Sequence, residues 1–113
     1  MSSGTPPPGA SEALRALRER FRASAGATVA GFEAIAAQLA DAPDAAGPLE
    51  ALCRELHRVR GTAGSYGFVE ASRLAGRLEE RALGWVADAR LDRERRAAVV
   101  LDFAAALRVA FEA

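Results

Sequence analysis

The sequence predicts an all-α domain, an antiparallel up-and-down four-helix bundle with a short additional helix at the N-terminus. Three observations lead there. Apolar residues recur at i, i+3, i+4 and i+7 through most of the chain, the spacing of one helix face. The apolar runs do not keep the alternating period of a strand. The periodic stretches are separated by short segments rich in Pro, Gly and Asp, which is the loop pattern of neighbouring antiparallel helices.

Taken in order, residues 1–10 are rich in Ser, Gly and Pro and read as a disordered tail or linker, leaving residues 11–113 as the bundle domain. Ser11 is the expected N-cap of the first helix, with Glu12 in its first turn. Leu14, Leu17 and Phe21 share one side of that helix, which is expected to form a lid on one end of the bundle. The pattern weakens over residues 23–28, and Gly26 marks a break or a bend. A second segment runs to about Ala40 with Val29, Phe32, Ile35, Ala36 and Leu39 inward; it is a separate helix or the continuation of a bent one. Asp41 to Pro48 is a turn, and Pro48 suits the first position of the next helix. That helix buries Leu49, Leu52, Cys53, Leu56, Val59 and Ala63, ends at Ser65 or Tyr66, and takes Gly67 as a left-handed cap. The following helix, about Val69 to Val86, has Phe68, Ala71, Ala75, Leu78, Ala82 and Trp85 at helical spacing. Asp88 to Asp92 is a turn. Asp92 is expected to cap the last helix, which buries Val99, Val100, Phe103, Leu107 and Phe111. The charge runs Glu79-Glu80 and Arg93-Glu94-Arg95-Arg96 read as solvated faces.

Composition narrows the function. The chain of 113 residues is half hydrophobic and has zero formal net charge, within the range of a single domain. A sequence pI near 6.6 argues against nucleic-acid binding by bulk electrostatics. No apolar run approaches the 18 or so residues that would cross a bilayer, so no membrane partner is expected. A single cysteine forms no internal disulfide, and with no signal peptide the expected location is cytoplasmic. No phosphate-binding loop or kinase motif is present.

The informative stretch is Leu56 to Phe68, Leu-His-Arg-Val-Arg-Gly-Thr-Ala-Gly-Ser-Tyr-Gly-Phe, which holds the sole histidine, His57. At about 100° per residue, His57 points roughly 105° from the centre of the apolar cluster of its helix, on the flank. Gly61 and Gly64 lie four and seven residues on, on the same side. Two glycines in a helix cost about 1 kcal/mol each relative to alanine; what they provide is a bare surface that another molecule can approach beside the imidazole. Cys53 and His57 are spaced i, i+4, but zinc wants about four ligands and there is no second histidine or cysteine; no metal site is expected, and Cys53 reads as a small core residue.

His57-x-x-Arg60-Gly61-x-x-Gly64-Ser65-x-Gly67 resembles the signature of histidine-containing phosphotransfer (HPt) domains of bacterial two-component phosphorelays. Leu74, Leu78 and Glu79 in the next helix add to the likeness. The helical pattern extends over roughly Leu14 to Phe111, while the specific part is residues 56–68. Arg60 stands where the family more often has lysine; it keeps the charge and adds a planar fork for phosphate oxygens.

The resemblance implies a phosphorelay carrier. His57 would accept a phosphoryl group from the aspartyl phosphate of a receiver domain and pass it to another receiver. Arg54, Arg58 and Arg60 would supply positive charge that disfavours the imidazolium, lowering the histidine pKa, and Arg60 would then pair with the transferred group. Arg54, Arg58, Gly61 and Gly64 would form the receiver docking face. The implied partners are response-regulator receiver domains and a hybrid histidine kinase, and the domain itself is expected to be a monomer. It would need no cofactor of its own, with Mg2+ expected on the receiver, and no independent kinase activity. Two other readings stand beside this one: a non-catalytic bundle for protein–protein interaction or dimerisation with an inert His57, and a metal-binding bundle built on Cys53 and His57.

Overall fold

The computed structural model describes residues 8–112. It has five α-helices: α1 (Pro8–Ala23), α2 (Ala25–Asp41), α3 (Ala46–Ser65), α4 (Val69–Ala87) and α5 (Arg96–Glu112), with one 3₁₀ turn at Arg93–Arg95. No strand occurs among the described residues. Helices α2 to α5 run up and down as an antiparallel bundle. Its most extensive pairings are α3 with α4 and α2 with α5, and the smaller contacts α2–α3 and α4–α5 close the ring.

The apolar stripes read from the sequence meet in one core. Val29, Phe32, Ile35, Ala36 and Leu39 of α2 are buried against Leu49, Leu52, Leu56, Val59 and Ala63 of α3. Phe68 and the α4 stripe from Ala71 to Trp85 complete it with Val100, Phe103, Ala104, Leu107, Ala110 and Phe111 of α5. Val99 and Cys53 are only partly buried at its edge. Small residues recur on the α4 stripe, where Ala71, Ala75 and Ala82 are all fully buried; they let α3 and α4 pack closely, and the candidate site lies across that pair.

The N-terminal region departs from expectation. α1 begins at Pro8, so Ser11 lies inside the helix rather than capping it. Of the expected tail, residues 1–7 lie outside the described residues. The break between α1 and α2 falls at Ser24, not at Gly26. It spans one residue: the Ser24 amide still donates to Arg20 and Phe21, and the Thr28 amide donates to Ser24. The Ser24 hydroxyl donates to the Phe21 carbonyl at 2.8 Å, a back-bond of the kind that bends helices. Only the last turns of α1 touch the bundle. Phe21 meets the rings of Tyr66, Phe68 and Phe111, and Arg18 and Arg22 lie over Phe68. Leu14 and Leu17 are exposed. α1 therefore reaches past the bundle end instead of closing it as a lid, and the molecule is 60 Å long, about twice the ~30 Å of a 20-residue helix.

Two turns differ from their expected capping. α3 begins at Ala46, so Pro48 is third in the helix, where its missing N–H is still one of the unpaired amides of the first turn. Asp92 has left-handed backbone (φ 56°) and no side-chain cap bond. Its Oδ2 instead accepts from Arg81 Nε and Trp85 Nε1, each at 2.8 Å. These two donors, Arg81 first, hold the carboxyl down at about 2.

Arg96 is the largest departure. Expected on a solvated face, it is fully buried. Nη1 donates to the Pro43 carbonyl at 2.6 Å, Nε to Leu91 at 3.0 Å, and Nη2 to Asp88 and Ala89 at 3.0 and 3.2 Å. The guanidinium also lies 5.5 Å from the Trp85 ring. It ties the α2–α3 and α4–α5 connections together at the C-terminal ends of α2 and α4, where helix dipoles favour a cation.

Candidate functional site

Gly67 ends α3 with φ +84°. The Phe68 amide donates to Ala63 at 2.8 Å and the Gly67 amide to Gly64 at 3.2 Å, the paired bonds of a Schellman stop. A left-handed residue here lets the chain reverse within residues 66–68, so α4 returns directly alongside the His57 flank of α3.

The His57 side chain is 68% exposed, and its Nδ1 lies 2.9 Å from Glu79 Oε2 on α4. Glu79, read from sequence as part of a solvated run, is only 12% exposed at its side chain. Arg60 Nη1 sits 3.0 Å from Glu79 Oε1. That approach is an ion pair without an aligned N–H, since Oε1 is shielded from solvent and accepts no hydrogen bond. A carboxylate only accepts, so Nδ1 is the nitrogen that carries the proton toward Glu79. In the neutral ring Nε2 is then left with its lone pair. Arg60 Nη2 is 3.4 Å from Nδ1, but two donors cannot bond each other; this is a contact, and the carboxylate holds both groups.

This changes the electrostatic reading. Arg60 does not present an unopposed charge to the imidazole, because Glu79 pairs with it. Arg58 is likewise paired, with Glu55 at 2.8 Å, while Arg54 is exposed on α3. Cys53 is partly buried, and burial followed by the Glu79 charge pushes its thiol up, away from the thiolate a nucleophile requires. Among the described residues no three of His, Cys, Asp and Glu gather as a metal site.

The two glycines expected on the docking face differ. A Cβ on Gly61 would meet nothing within 4 Å, so this is open surface. A Cβ on Gly64 would lie 3.2 Å from Ser72 Oγ; this glycine is exposed and also makes room for α4. The open concavity around His57 is lined by Arg58, Gly61, Thr62, Ser65 and Tyr66. Arg58 also lines a neighbouring groove of about 400 Å³ between α2 and α3, whose walls include Ala27, Thr28, Gly31, Phe32 and Ile35. A surface with an exposed imidazole, a bare glycine and an adjoining groove of mixed polar and apolar lining suits a partner that brings a reactive group to Nε2.

The chain matches the family model of the Hpt domain over residues 13–110. It belongs to the Hpt domain family, and its general role is that of a histidine phosphotransfer carrier. No curated protein and no solved structure matches it. Among the described residues no helix is long and apolar enough to cross a membrane.

Proposed function

We propose that His57 is the phosphoryl acceptor and that the donor is the aspartyl phosphate of a receiver domain docked over α2 and α3. The observation that carries the reading is the exposed imidazole whose Nδ1 faces Glu79 at 2.9 Å. The Nε2 lone pair forms the N–P bond as the P–O bond to the receiver aspartate breaks and its carboxylate leaves. The ring becomes cationic in that step, and Glu79 lies where it offsets the charge. Arg60 is one turn from His57 and able to pair with the transferred group. The receiver supplies the Mg2+ and most of the remaining machinery, so positioning and electrostatics are what this domain contributes. Transfer to a second receiver reverses the same step.

Arg54, Arg58 and Gly61 form the contact surface, continued by the groove on α2. A carrier must release its partners, so the interface is expected near the small end of specific interfaces, about 1,200 Å² or less. The test is phosphotransfer from a radiolabelled receiver, with profiling across receivers to find the partner. His57→Gln removes the acceptor and should abolish labelling. Gly61→Arg should block transfer while the helical circular dichroism signal is retained. The product should be acid-labile and base-stable, as a phosphoramidate is. Label that persists in His57→Gln, or an acid-stable product, would assign the phosphoryl group to another residue.

A further inference from the structure

The α4 residues facing the site are Ser72, Gly76 and Glu79, spaced four and three apart, which is one stripe of a helix. Each meets a different part of Arg60 on α3. Ser72 Oγ donates to the Arg60 carbonyl at 2.8 Å. Glu79 pairs with the guanidinium at 3.0 Å. Gly76 lies under the stem: a Cβ there would come within 3.2 Å of Arg60 Cδ and 3.9 Å of its Cγ. The backbone, the stem and the head of this one arginine are thus each met by one residue of the same stripe.

We infer that Gly76 is a positioning residue for phosphoryl transfer, the bare seat that sets where the Arg60 guanidinium lies relative to Glu79 and His57. Its φ is unremarkable and it sits inside α4, so the backbone does not require glycine; alanine would favour the helix by about 1 kcal/mol. The one neighbour a methyl group would press is the Arg60 stem. That stem is flexible, so it would move rather than break the helix pair. Moving Cδ by a few tenths of an ångström (an estimate from ordinary contact distances) swings the guanidinium at its far end by more. Arg60 would lose its place against Glu79, and the carboxylate that holds Nδ1 would lose its fixed partner. Gly76 touches neither the imidazole nor a transferred phosphoryl group. It acts through Arg60, which gives it an effect that depends on that arginine being present.

This rests on His57 being the acceptor, but its test does not need a receiver. Phosphoramidate serves as the donor: Nε2 forms the N–P bond as the donor P–N bond breaks and ammonia leaves. The rate is followed by 31P NMR, and the tautomer of His57 by 15N NMR on the unphosphorylated protein. Gly76→Ala should melt at or above the wild-type temperature, yet phosphorylate about tenfold more slowly, the effect of one lost charge-assisted contact. Its His57 15N shifts should show a smaller share of the Nδ1–H tautomer. In an Arg60→Ala background the same substitution should change the rate by less than about twofold. A Gly76→Ala protein with wild-type rate and shifts would overturn the inference, as would a tenfold loss that persists without Arg60. If phosphoramidate labels His57 and no receiver does, the receiver reading fails and the role of Gly76 is still decided.

Discussion

Arg60 and Arg96 are the same side chain in opposite circumstances. Arg60 stands on the side of α3, about half exposed, against one carboxylate and one imidazole. Arg96 is sealed at the end of the bundle, with its charge met by backbone carbonyls from two connecting segments and no ion pair among the described residues. Arg96 cannot leave without giving up its hydrogen bonds to the carbonyls of both connecting segments at once, which makes it a fixed part of the scaffold. Arg60 has a single ionic partner and keeps its own head about half in water, so it can turn to another anion far more readily than Arg96 can. A residue proposed to serve both a free and a phosphorylated histidine needs the second arrangement.

The comparison separates stability from chemistry, and substitution can test it. The largest effect should come from Arg96→Leu. Losing the guanidinium strands carbonyls that cost about 1–3 kcal/mol each, some of it recovered by water at the bundle end, for a net loss of about 3–5 kcal/mol. The melting temperature should fall by at least ~12 °C in a circular dichroism melt, while the folded fraction transfers phosphate normally. Arg60→Ala should do the reverse. Its melting free energy should stay within about 0.5 kcal/mol of wild type, and phosphotransfer should slow roughly ten- to a hundredfold, the loss of a contact worth about 1.5–3 kcal/mol in the transition state. Arg60→Lys should lose less. A large melting shift in Arg60→Ala would dissolve the distinction.

The smallest effect belongs to Asp92, whose ties to Arg81 and Trp85 brace the same end as Arg96. Its carboxyl is held at about 2 against the ordinary aspartate value of 3.8. A folded-state value below the unfolded one means that its stabilisation is complete above pH ~4 and fades as the pH falls through about 2. Asp92→Asn keeps a residue that tolerates left-handed backbone and removes the ionisation. Wild type should therefore be the more stable above pH 4, and the gap should close toward pH 2 in melts across that window.

What the sequence made legible follows the same division between local and distant. α3, α4 and α5 were readable because their stripes repeat at helical spacing, and the His57, Arg60 and Gly61 grouping because all three lie within about one turn of one helix. Ser72, Gly76 and Glu79 reach the site only through the reversal at Gly67, 15 to 22 residues after the histidine in the case of Ser72 and Glu79. No local spacing relates them to His57. The family likeness included Glu79 but gave it no partner, and its neighbour Glu80 made the pair look solvated. Arg96 was misread because a charge run outweighed a period: Arg96, Val100, Phe103 and Leu107 continue one buried stripe, and the stripe was the better guide. The exposed Leu14 and Leu17 went the other way. A helical period promises a face, and only packing decides whether anything covers it.

The stop at Gly67 also bears on how such a domain can change over evolutionary time. The α3–α4 reversal works as a phase setting between two helices. One residue inserted within 66–68 would break the paired bonds of the stop, and where α4 absorbed it as an added helical residue its stripe would turn by about 100° relative to α3. That would turn Ser72, Gly76 and Glu79 away from Arg60 and bring the alanine stripe out of the core in the same move. The connection between α4 and α5 carries no part of the site and could lengthen with a cost that falls on Arg96 with its carbonyls and on the ties of Asp92 to Arg81 and Trp85. Length variation among relatives should therefore collect in the α4–α5 connection and be rare in the α3–α4 reversal, so that the shortest turn in the bundle is also the one under the tightest constraint.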